Sequence, residues 1–443
     1  MSELKRVVIV GGGFAGLNAA KALARESRVS ITLIDRRNHH LFQPLLYQVA
    51  MAGLSPADIA APIRSILSGQ KNARVVCGEV QRVDTDDRCV LTSGGKFDYD
   101  YLLLACGAMH SYFGKSEWEA DAPGLKTIEQ ATEIRRRVLE AFEKAEIAED
   151  VLERKALMTF VVVGAGPTGV ELAGALGEMS RFTLAKDFQR IDPKQARVIL
   201  IEGGSRILPM FSEKLASRAM RDLEHLGVQT WTDSIVTGVS SDGVDIGTEQ
   251  VRAATVLWAA GTEASPVGNE SNLKCDRQGR VLVQADLSVG DFPNVFVSGD
   301  QCCFQQGEQL LPAVAPVAVQ QGRHFAKVVR ADLDEKTRPD FKYIDKGQMA
   351  TIGRSRAIME SGKVQMTGFT AWLAWLVVHI YFLSGFRNRL FVVISWAWSY
   401  LTFRRGARLI LRKDWRSFES VKEDVGETTR EEPLESPQQA ARV

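Results

Sequence analysis

Two glycine-rich segments of this sequence share one spacing that suits the binding of phosphate groups. They are GGGFAG at residues 11–16 and GAGPTG at residues 164–169, so both contain the pattern G-x-G-x-x-G. The pattern glycines are Gly11, Gly13 and Gly16 in the first segment and Gly164, Gly166 and Gly169 in the second. The first glycine permits a tight turn, the second lets the backbone approach a pyrophosphate, and the third lets a helix pack on a strand. The N–H groups of that helix then point at the phosphates, so we predict two pyrophosphate sites.

Each glycine segment is followed by a second apolar strand that ends in a carboxylate. Asp35 ends VSITLID, 19 residues after the first pattern, and Glu202 ends ARVILIE. A carboxylate at this place accepts hydrogen bonds from the ribose hydroxyls of an adenosine. Glu202 favours NAD over NADP because it would repel a 2′-phosphate, although Arg206 lies close to it in the sequence. The distance from the second pattern to Glu202 is long, so we expect residues 181–196 to extend or follow the helix.

Hydrophobic runs predict the elements that position these residues. The run before each glycine pattern is typical of a strand that is buried on both faces of a parallel sheet, and a helix over about residues 15–26 follows the first pattern. Residues 292–300 predict a further strand that ends at Asp300. Two halves of one site, a duplication and two different dinucleotides would each explain the repeat. Two different dinucleotides are favoured, because each glycine pattern is followed later in the chain by its own strand that returns to the sheet and ends in a turn of small residues. These returning strands are YDYLLLACGA at 99–108 and AATVLWAAGT at 253–262.

Length and composition set limits on the class of protein. The chain of 443 residues is too long for one ordinary core, so we expect two or three domains. Its 45% hydrophobic and 25% charged residues are typical of a soluble globular enzyme, and the net charge of +1 gives no reason to expect nucleic acid as a partner. The six cysteines show no C-x-x-C and no metal-ligand spacing, which predicts no metal site and a reducing, cytoplasmic-side location. Because a strand begins by residue 6, we expect no signal peptide.

Two apolar segments near the C-terminus contain four of the eight tryptophans. The first, residues 369–386, would be about 27 Å long as a helix, which is short for a membrane span. The second, residues 390–403, combines a polar stripe with a broad aromatic and aliphatic face. Arginines flank both segments, so we predict helices that lie on an anionic lipid surface; a buried core helix, a dimer seam and a membrane hairpin are the alternatives. The stripe consists of Ser395, Ser399 and Thr402, and the basic residues are Arg387, Arg389, Arg404, Arg405, Arg408, Arg412, Lys413 and Arg416.

The succession of strand, glycine pattern, small-residue turn and late Asp300 resembles the two-dinucleotide-binding-domain flavoprotein superfamily. In that superfamily the first unit holds FAD, the second holds NAD(P)H, and the late aspartate bonds the ribityl–phosphate region of the flavin. The resemblance implies an α/β fold with two Rossmann-like domains, the NAD domain inserted in the FAD domain, plus a C-terminal membrane-associating helical region. The implied divisions are an FAD-binding domain in two parts (1–125 and 291–335), an NADH-binding domain (126–290), a C-terminal region with amphipathic anchoring helices (336–416) and a disordered tail (417–443).

Three further segments resemble one family within this superfamily. NHHLFQPLLYQVA at 38–50, PAVAPVAVQQGRH at 312–324 and the GFRNRL…RRGARLI tail together resemble type II NADH dehydrogenase, the single-subunit, non-proton-pumping NADH:quinone oxidoreductase. The resemblance implies FAD-dependent oxidation of NADH with two-electron reduction of a membrane quinone. It also implies a homodimer that is bound peripherally to the cytoplasmic face of the cell inner membrane. In the family an A-Q-x-A-x-Q-type segment lies beside the flavin at the quinone pocket, and its first glutamine is Pro316 here.

The resemblance also implies roles for single residues. Glu171 matches the family's acid near the nicotinamide and is expected to position that ring or relay protons, although the helix dipole alone would also favour a carboxylate there. Gln320 and Gln321, the later pair of the segment, are expected at the flavin or quinone. His379 lies in an apolar helix, where an ionisable group is costly, and is expected at the quinone or in proton transfer; a simple hydrogen bond to a neighbouring carbonyl is its alternative. The predicted FAD contacts are Gly11, Gly13, Phe14, Ala15, Gly16, Asp35, Arg36, Tyr47, Gln48, Gly107, Asp300 and Ala318, and the predicted NADH contacts are Gly164, Gly166, Pro167, Thr168, Gly169, Glu202, Ala260 and Gly261.

Other functions stay open from the residues alone. One is a soluble NADH-dependent flavoprotein reductase of a protein electron carrier such as a ferredoxin or rubredoxin, and another is a non-catalytic redox sensor. A soluble carrier reductase has no need for two tryptophan-rich helices flanked by arginine. Disulfide reductases and sulfide:quinone reductases share the architecture but depend on cysteines beside the flavin. Neither glycine-pattern helix contains a cysteine, and Cys106, Cys302 and Cys303 are better explained as packing residues.

Overall fold

The computed structural model describes residues 4–383, 386–402 and 407–411. The chain divides into one compact unit, Met1–Leu409, and a second, Ile410–Val443, of which only residues 410 and 411 are described. The predicted disordered tail therefore lies outside the described residues. The same holds for Arg404, Arg405, Arg412, Lys413 and Arg416 of the predicted basic group.

The first quarter of the chain alternates strands with short helices. The last four residues of the first strand are fully buried, as the β-branched run predicts. The first glycine pattern follows this strand directly and opens a helix that ends at Ala22, earlier than predicted. The strands are β1 Lys5–Val10, β2 Val29–Asp35, β3 His39–Leu41, β4 Ala60–Pro62, β5 Ala73–Cys77, β6 Val80–Asp84, β7 Cys89–Thr92, β8 Gly95–Asp98, β9 Tyr101–Leu104 and β10 Ala108–His110, and the helices are α1 Phe14–Ala22, α2 Leu46–Ala50, α3 Pro56–Ile59 and α4 Ile63–Ile66.

The middle of the chain repeats this alternation around the second glycine pattern. The highly charged stretch 126–157 forms two helices, and the first has a buried face that includes Ile134, Val138 and Phe142. After the glycine-pattern helix a π turn covers Met179–Thr183. The strands are β11 Thr159–Val163, β12 Arg197–Ile201, β13 Val228–Trp231, β14 Val236–Ser240, β15 Gly243–Ile246, β16 Glu249–Arg252, β17 Thr255–Trp258 and β18 Thr262–Ala264, and the helices are α5 Ile128–Ile147, α6 Val151–Leu157, α7 Pro167–Glu178, α8 Glu213–His225 and α9 Val267–Glu270.

The last part of the chain adds short strands, one long helix, a small sheet and two apolar helices. The two apolar helices correspond to the predicted C-terminal segments, although the first ends at Phe382. The strands are β19 Val281–Leu282, β20 Ser288–Val289, β21 Phe292–Val297, β22 Cys302–Cys303, β23 Gln305–Gln306, β24 Gln309–Leu310, β25 Gln348–Gly353, β26 Arg356–Ser361 and β27 Val364–Thr367, and the helices are α10 Ala315–Leu333, α11 Gly368–Phe382 and α12 Phe386–Thr402.

Two sheets with parallel cores carry the two glycine patterns. The first has the order β20-β21-β9-β1-β2-β5 and the second has the order β13-β12-β11-β17. Strand β21, far along the chain, pairs in parallel with β9, so the chain returns to the first sheet after it has completed the second. The predicted α/β class, with the second Rossmann-like fold inserted in the first, is confirmed. The carboxyl ends of β1, β2, β9 and β21 consequently meet at one edge of the first sheet.

A three-stranded antiparallel sheet, β25-β26-β27, connects the second nucleotide fold to the C-terminal helices. Strand β25 packs on α7, and α11 packs on β26. A Cβ on Gly174 would overlap the carbonyl oxygen of Ile352, which shows how closely α7 approaches β25. Within the described residues, none of the helices has the length and apolar character that crossing a membrane requires.

Candidate functional site

The first glycine turn is held open toward the start of α1. Gly11 has a φ of +101°, a conformation that favours glycine, and a Cβ there would overlap the carbonyl oxygen of Ala105. A Cβ on Gly16 would overlap the carbonyl oxygen of Gly11, because helix and strand pack closely at this point. By contrast, the position of a Cβ on Gly13 has nothing within 4 Å. The second glycine therefore faces open space, where a pyrophosphate would lie.

Asp35 is tied to this turn through both carboxylate oxygens. The Gly12 N–H donates to Oδ2 at 2.6 Å and the Arg37 N–H donates to Oδ1 at 2.7 Å. Nδ1 of the buried His40 ring lies 2.9 Å from the Gly12 carbonyl oxygen, and because a carbonyl only accepts, Nδ1 carries the proton and donates it. His40 lies in strand β3, which holds its ring beside the first glycine turn.

The second glycine turn reproduces the first in its geometry. Gly164 has a φ of +96°, and a Cβ there would stand 2.6 Å from the Ala260 nitrogen. A Cβ on Gly169 would overlap the Gly164 carbonyl oxygen, whereas the position of a Cβ on Gly166 again has nothing within 4 Å. Pro167 is the first residue of α7 and Thr168 follows it in the first turn. The missing N–H of proline costs nothing there, because the first N–H groups of a helix lack intrahelical partners.

Glu202 occupies the place in the second fold that Asp35 occupies in the first. The Ala165 N–H donates to Glu202 Oε2 at 2.7 Å and the Gly204 N–H donates to Oε1 at 2.9 Å. Arg206 donates to the Pro209 carbonyl oxygen at 2.8 Å. The carboxylate thus lies at the end of β12 beside the glycine turn, as recognition of a ribose requires.

Both turns fit a dinucleotide. Each has an open second glycine at the start of a helix, and neither α1 nor α7 has a side-chain cap on its first N–H groups. Such uncapped N–H groups hydrogen-bond phosphate oxygens, and the helix dipole favours the negative charge. The residues present therefore suit FAD at the first turn and NADH at the second.

A third segment completes the edge of the first sheet. Gly299 has a φ of +77°, and a Cβ there would lie 3.5 Å from the Cβ of Ala318 and 3.6 Å from that of Ala15. The Gly299 N–H donates to Oε1 of the buried Gln321 at 2.6 Å. Gln321 therefore fixes the turn that presents Asp300, next to the start of both α1 and α10.

Asp300 has a cationic neighbour from the other nucleotide fold. Lys126 Nζ lies 3.8 Å from Asp300 Oδ2, and each side chain is 20% exposed. A cavity of about 420 Å³ next to this pair is bounded by Arg36, Ala108 and Lys126. Gly107, with a φ of +71°, directly precedes Ala108. The predicted FAD contacts Arg36, Gly107 and Asp300 therefore belong to one region between the two nucleotide folds.

Gln320 and Gln321 have different surroundings. Gln320 pairs with the backbone of Ile344, donating to its carbonyl oxygen at 3.0 Å and accepting from its N–H at 3.0 Å. These bonds hold the chain after α10 and use both ends of the amide. A direct contact of Gln320 with flavin or quinone would require these bonds to open.

The C-terminal helices are tied to the first nucleotide fold. The Trp396 indole N–H of α12 donates to Gln48 Oε1 at 2.7 Å, and Gln48 Nε2 donates to the Tyr47 hydroxyl at 2.9 Å. Asn388 Nδ2 of α12 also donates to the Ala60 carbonyl oxygen at 3.2 Å. Of the predicted flavin-pocket residues, Gln48 thus contacts the helix that was predicted to lie on lipid, and Tyr47 is joined to that helix through Gln48.

Ring contacts extend this connection to the first glycine turn. Phe14, the first residue of α1, meets Phe42 edge-on with ring centroids 5.8 Å apart. Phe42 in turn meets the His379 ring of α11 at 6.1 Å, and His379 stacks on Trp375 at 4.2 Å. Trp375 lies 5.5 Å from Trp396. A continuous set of rings therefore joins the predicted FAD turn to both apolar helices.

His379 is neutral at physiological pH. Burial is the main cause that lowers its pKa to about 4, and the hydrogen bond to the Trp375 backbone partly opposes this. Nδ1 lies 2.6 Å from the Trp375 carbonyl oxygen and must donate to it, so Nε2 is left as an acceptor. In this state the ring accepts a hydrogen bond rather than releasing a proton.

The pKa of Glu171 is raised, whereas that of His379 is lowered. Glu171 lies on α7 one turn before Gly174, on the face that packs on β25. Burial of the carboxyl group raises its pKa to about 8, and a hydrogen bond from the Thr351 backbone partly opposes this. A carboxyl group with a pKa near 8 holds a proton at neutral pH and can exchange it.

Comparisons with known proteins agree with this geometry. Residues 5–322 match the family described as pyridine nucleotide-disulphide oxidoreductase, and residues 346–405 match the NDH2 C-terminal domain. The chain is 45% identical over 423 residues to type II NADH:quinone oxidoreductase NdhA of Mycobacterium tuberculosis. The aligned residues cover 91% of this chain and 89% of the relative. It is 43% identical over 417 residues to type II NADH:quinone oxidoreductase Ndh of the same organism, with 90% and 89% covered. The chain belongs to the type II NADH:quinone oxidoreductases.

A solved structure supports the fold of this type II NADH:quinone oxidoreductase. The structure of NDH2 from Plasmodium falciparum in complex with NADH has a TM-score of 0.83 with this chain, at 20% identity. The similarity covers 92% of this chain and all of that one. This similarity confirms the predicted fold class, and membership of the family confirms the predicted enzyme class and the cofactors FAD and NADH.

Cys106 and Cys302 of this type II NADH:quinone oxidoreductase are unsuited to thiol chemistry. All six are free, and burial raises the pKa of Cys106 to about 12. Burial also raises the pKa of Cys302, whose sulfur accepts a hydrogen bond from Gln321. Because the thiolate is the reactive form, these groups stay protonated and unreactive at neutral pH.

The sequence did not reveal three residues that organise the site. Fully buried Gln301 accepts from the Cys106 N–H at 3.2 Å and so joins the β9 and β21 turns. Lys126 approaches Asp300, and His40 binds the first glycine turn. Only the position of Gln301 directly after Asp300 offered a signal, because the other two contacts bring together residues that are distant along the chain.

Proposed function

We propose that this protein oxidises NADH and reduces a membrane quinone with two electrons through FAD, without pumping protons. The observation that carries this proposal is the arrangement of two nucleotide turns and two apolar helices. An open glycine turn on the first sheet suits FAD, a second on the other sheet suits NADH, and the two apolar helices reach the first turn through Phe42 and His379. Because the two nucleotide folds meet where β10 pairs with β18 and Lys126 approaches Asp300, a donor site would lie on the fold next to the flavin site, with an apolar acceptor site beside the flavin.

On the donor side, the chain orients NADH and holds a proton. The α7 N–H groups and Glu202 would bind the pyrophosphate and the adenosine ribose. When bound at the first glycine turn, FAD would supply the redox chemistry that takes a hydride from NADH and transfers two electrons to the acceptor. We assign Glu171 to the positioning of the nicotinamide or the exchange of a proton, because its pKa is raised to about 8.

On the acceptor side, the quinone would approach between the C-terminal helices and the first glycine turn. His379 offers Nε2 as an acceptor, which suits a hydroxyl of the quinol product rather than a carbonyl of the quinone, and Trp396 orients Gln48 beside Tyr47. Pro316 replaces the glutamine that the family segment has at this position, so it donates no hydrogen bond to the quinone. We propose that Gln321 acts through the Asp300 turn and that Gln320 supports the neighbouring backbone.

We also propose a peripheral position on the cytoplasmic face of the inner membrane, in contact with anionic lipid. Four apolar residues, one on each turn of α11, are exposed: Phe369, Leu373, Val377 and Tyr381 are 52%, 47%, 58% and 69% exposed. An exposed apolar strip of this kind is typical of a membrane or protein contact. A homodimer whose seam includes part of this strip is a further proposal.

The proposal is tested by anaerobic mixing of the FAD-loaded protein with NADH, followed through the flavin absorbance. We expect bleaching by NADH and prompt recovery when a soluble short-chain quinone is added. The control is a parallel recovery with oxidised ferredoxin and with rubredoxin, which should be slower than with quinone.

Each result has a defined meaning. Absence of bleaching would contradict NADH as the donor. Bleaching followed by recovery with the carrier proteins alone, even when lipid is present, would replace quinone by a soluble carrier. Tight NADH binding without bleaching would indicate a sensor.

A further inference from the structure

An exposed phenylalanine lies beside the second nucleotide turn in an uncommon backbone conformation. Phe113 is 68% exposed and has a φ of +54°, and the following Gly114 has a φ of +85°. The left-handed region is rarely adopted by bulky side chains. Residues held there despite the strain cluster at ligand-binding sites, where the surrounding structure imposes the conformation.

The residues on both sides of Phe113 are firmly anchored. The Tyr112 hydroxyl donates to the Ala122 carbonyl oxygen at 2.8 Å, and the Tyr112 ring stacks on Trp258 at 5.2 Å. Trp258 donates its indole N–H to the Ser111 carbonyl oxygen at 3.0 Å, and Lys115 Nζ donates to the Thr237 carbonyl oxygen at 2.9 Å. The fold therefore holds the Phe113 ring outward, in a defined place.

That place is the turn that ends β17. Phe113 Cζ lies 2.7 Å from the position that a Cβ on Gly261 would occupy, so the ring lies against the Gly261 Cα. Gly261 has a φ of +71° and follows Ala260, whose nitrogen touches the glycine turn at Gly164. The ring consequently stands at the rim of the predicted NADH site.

The strand order identifies which half of NADH would meet this ring. The second sheet runs β13-β12-β11-β17, with Glu202 at the end of β12 and the glycine turn at the end of β11. A dinucleotide with its adenosine ribose at Glu202 and its pyrophosphate at the glycine turn extends toward β17 with its nicotinamide half. Phe113, at the end of β17, is on the nicotinamide side.

We propose that the Phe113 ring contacts the nicotinamide half of bound NADH and contributes to its binding and placement. This inference rests on the proposed function, because it takes NADH as the ligand of the second turn. A flat, exposed ring packs favourably against a flat heterocycle in offset or edge-on geometry. A side chain at Gly261 would displace this ring, and the φ of +71° at that position favours glycine in any case.

The test compares two ligands that differ in the nicotinamide ring. The FAD-loaded protein is titrated by calorimetry with NAD⁺ and with ADP-ribose, which keeps the adenosine, pyrophosphate and second ribose. Phe113→Ala should weaken NAD⁺ binding about threefold to tenfold and leave ADP-ribose binding within about twofold. Phe113→Tyr, which keeps the ring, should bind both ligands like the wild type.

Two further variants separate the ring from the backbone and from general surface effects. Phe113→Asn should lose NAD⁺ affinity as Phe113→Ala does, because asparagine tolerates the left-handed conformation but lacks the ring. Val151→Ala changes an apolar residue that is 69% exposed on α6, which leads into the opposite end of β11, and should change neither affinity. Retained ADP-ribose binding shows that each variant is folded.

Equal loss of both ligands, or no loss of NAD⁺, in the alanine and asparagine variants would overturn the inference. Failure of the proposed function is distinguishable, because wild-type flavin would then not be bleached by NADH. Bleaching of the wild type together with unchanged NAD⁺ binding in Phe113→Ala would refute only the role of Phe113.

Discussion

The burial of Glu171 makes its ionisation depend on the fold. Its pKa is raised from the ordinary 4.5 to about 8, so between these values the folded protein binds more protons at this site than the unfolded chain does. The free energy of unfolding contributed by Glu171 therefore falls as the pH rises through this window.

We predict that Glu171→Gln flattens this decline, because glutamine has no proton to lose. The difference in melting temperature between the variant and the wild type should shift in favour of the variant from pH 5 to pH 8. Differential scanning fluorimetry of the FAD-loaded proteins measures this shift. Parallel curves for the two proteins would show that Glu171 ionises as in water.

The two neighbouring glutamines should respond differently to the same substitution. Gln321→Leu leaves the Gly299 N–H without its acceptor and should lower the free energy of unfolding by about 1–3 kcal/mol. FAD should also dissociate more readily, because the Asp300 turn loosens. Urea unfolding and flavin release measure both effects.

Gln320→Leu is the matched control, since its bonds to Ile344 lie on an exposed part of the chain. It should cost less stability and leave FAD in place. An equal effect of the two substitutions on FAD retention would contradict the role given to Gln321.

At the residue scale the sequence predicted local patterns and missed partners that are distant in the chain. The glycines and the strand-end acids form the predicted turns because each turn is built by a few consecutive residues. The partnership of Lys126 with Asp300 depends on how two sheets are joined, and nothing near either residue signals it. Nothing near Phe113 in the sequence signals its partner Gly261 either. The ring reaches Gly261 because the strand before Phe113, β10, pairs with the strand after Gly261, β18.

At the scale of elements, α11 carries an exposed apolar strip that we assign to lipid. The double variant Leu373→Ser, Val377→Ser removes apolar surface from positions that are 47% and 58% exposed. Binding to vesicles of mixed neutral and anionic phospholipid should weaken about tenfold or more, because each buried aliphatic side chain contributes about 1.5–3 kcal/mol. Co-sedimentation with such vesicles measures the loss.

The control carries the same change on another exposed surface. Ile147→Ser, Val151→Ser alters residues of α5 and α6 that are 71% and 69% exposed. It should leave vesicle binding unchanged. Equal binding of the wild type and the α11 variant would reject the assignment to lipid and leave a dimer seam as the alternative for this strip.

The element that sequence reasoning missed is the sheet β25-β26-β27. Its two hairpins turn at Ser355, with a φ of +62°, and at Gly362, with a φ of +54°. The alternation of apolar and polar residues between these turns indicates strands, but the apolar pattern of the helices that follow is stronger and dominated the prediction for this region. The buried face of α5 is hidden in the sequence for a different reason, since charged residues of this helix pair with one another and one of them, Glu133, is itself buried.

At the scale of the whole molecule, we propose that the donor and the acceptor bind at separate places around one flavin. Gly166 lies in the second glycine turn, at the proposed donor site, and Gln48 lies beside α12, at the proposed acceptor site. Gly166 has a φ of −69°, so a valine there requires no left-handed backbone and only fills the open space of the second turn. Gln48→Leu removes the acceptor of Trp396 without touching the second nucleotide fold.

The most direct measurement follows the two half-reactions separately in these variants by stopped-flow absorbance of the flavin. Gly166→Val should retain FAD and lose reduction by NADH about a hundredfold or more, while quinone reoxidises its dithionite-reduced flavin at the wild-type rate. Gln48→Leu should show the reverse, with normal reduction by NADH and slow reoxidation by quinone. If Gly166→Val is reduced by NADH at the wild-type rate, or if either variant impairs both half-reactions equally, the separation of donor and acceptor sites is contradicted.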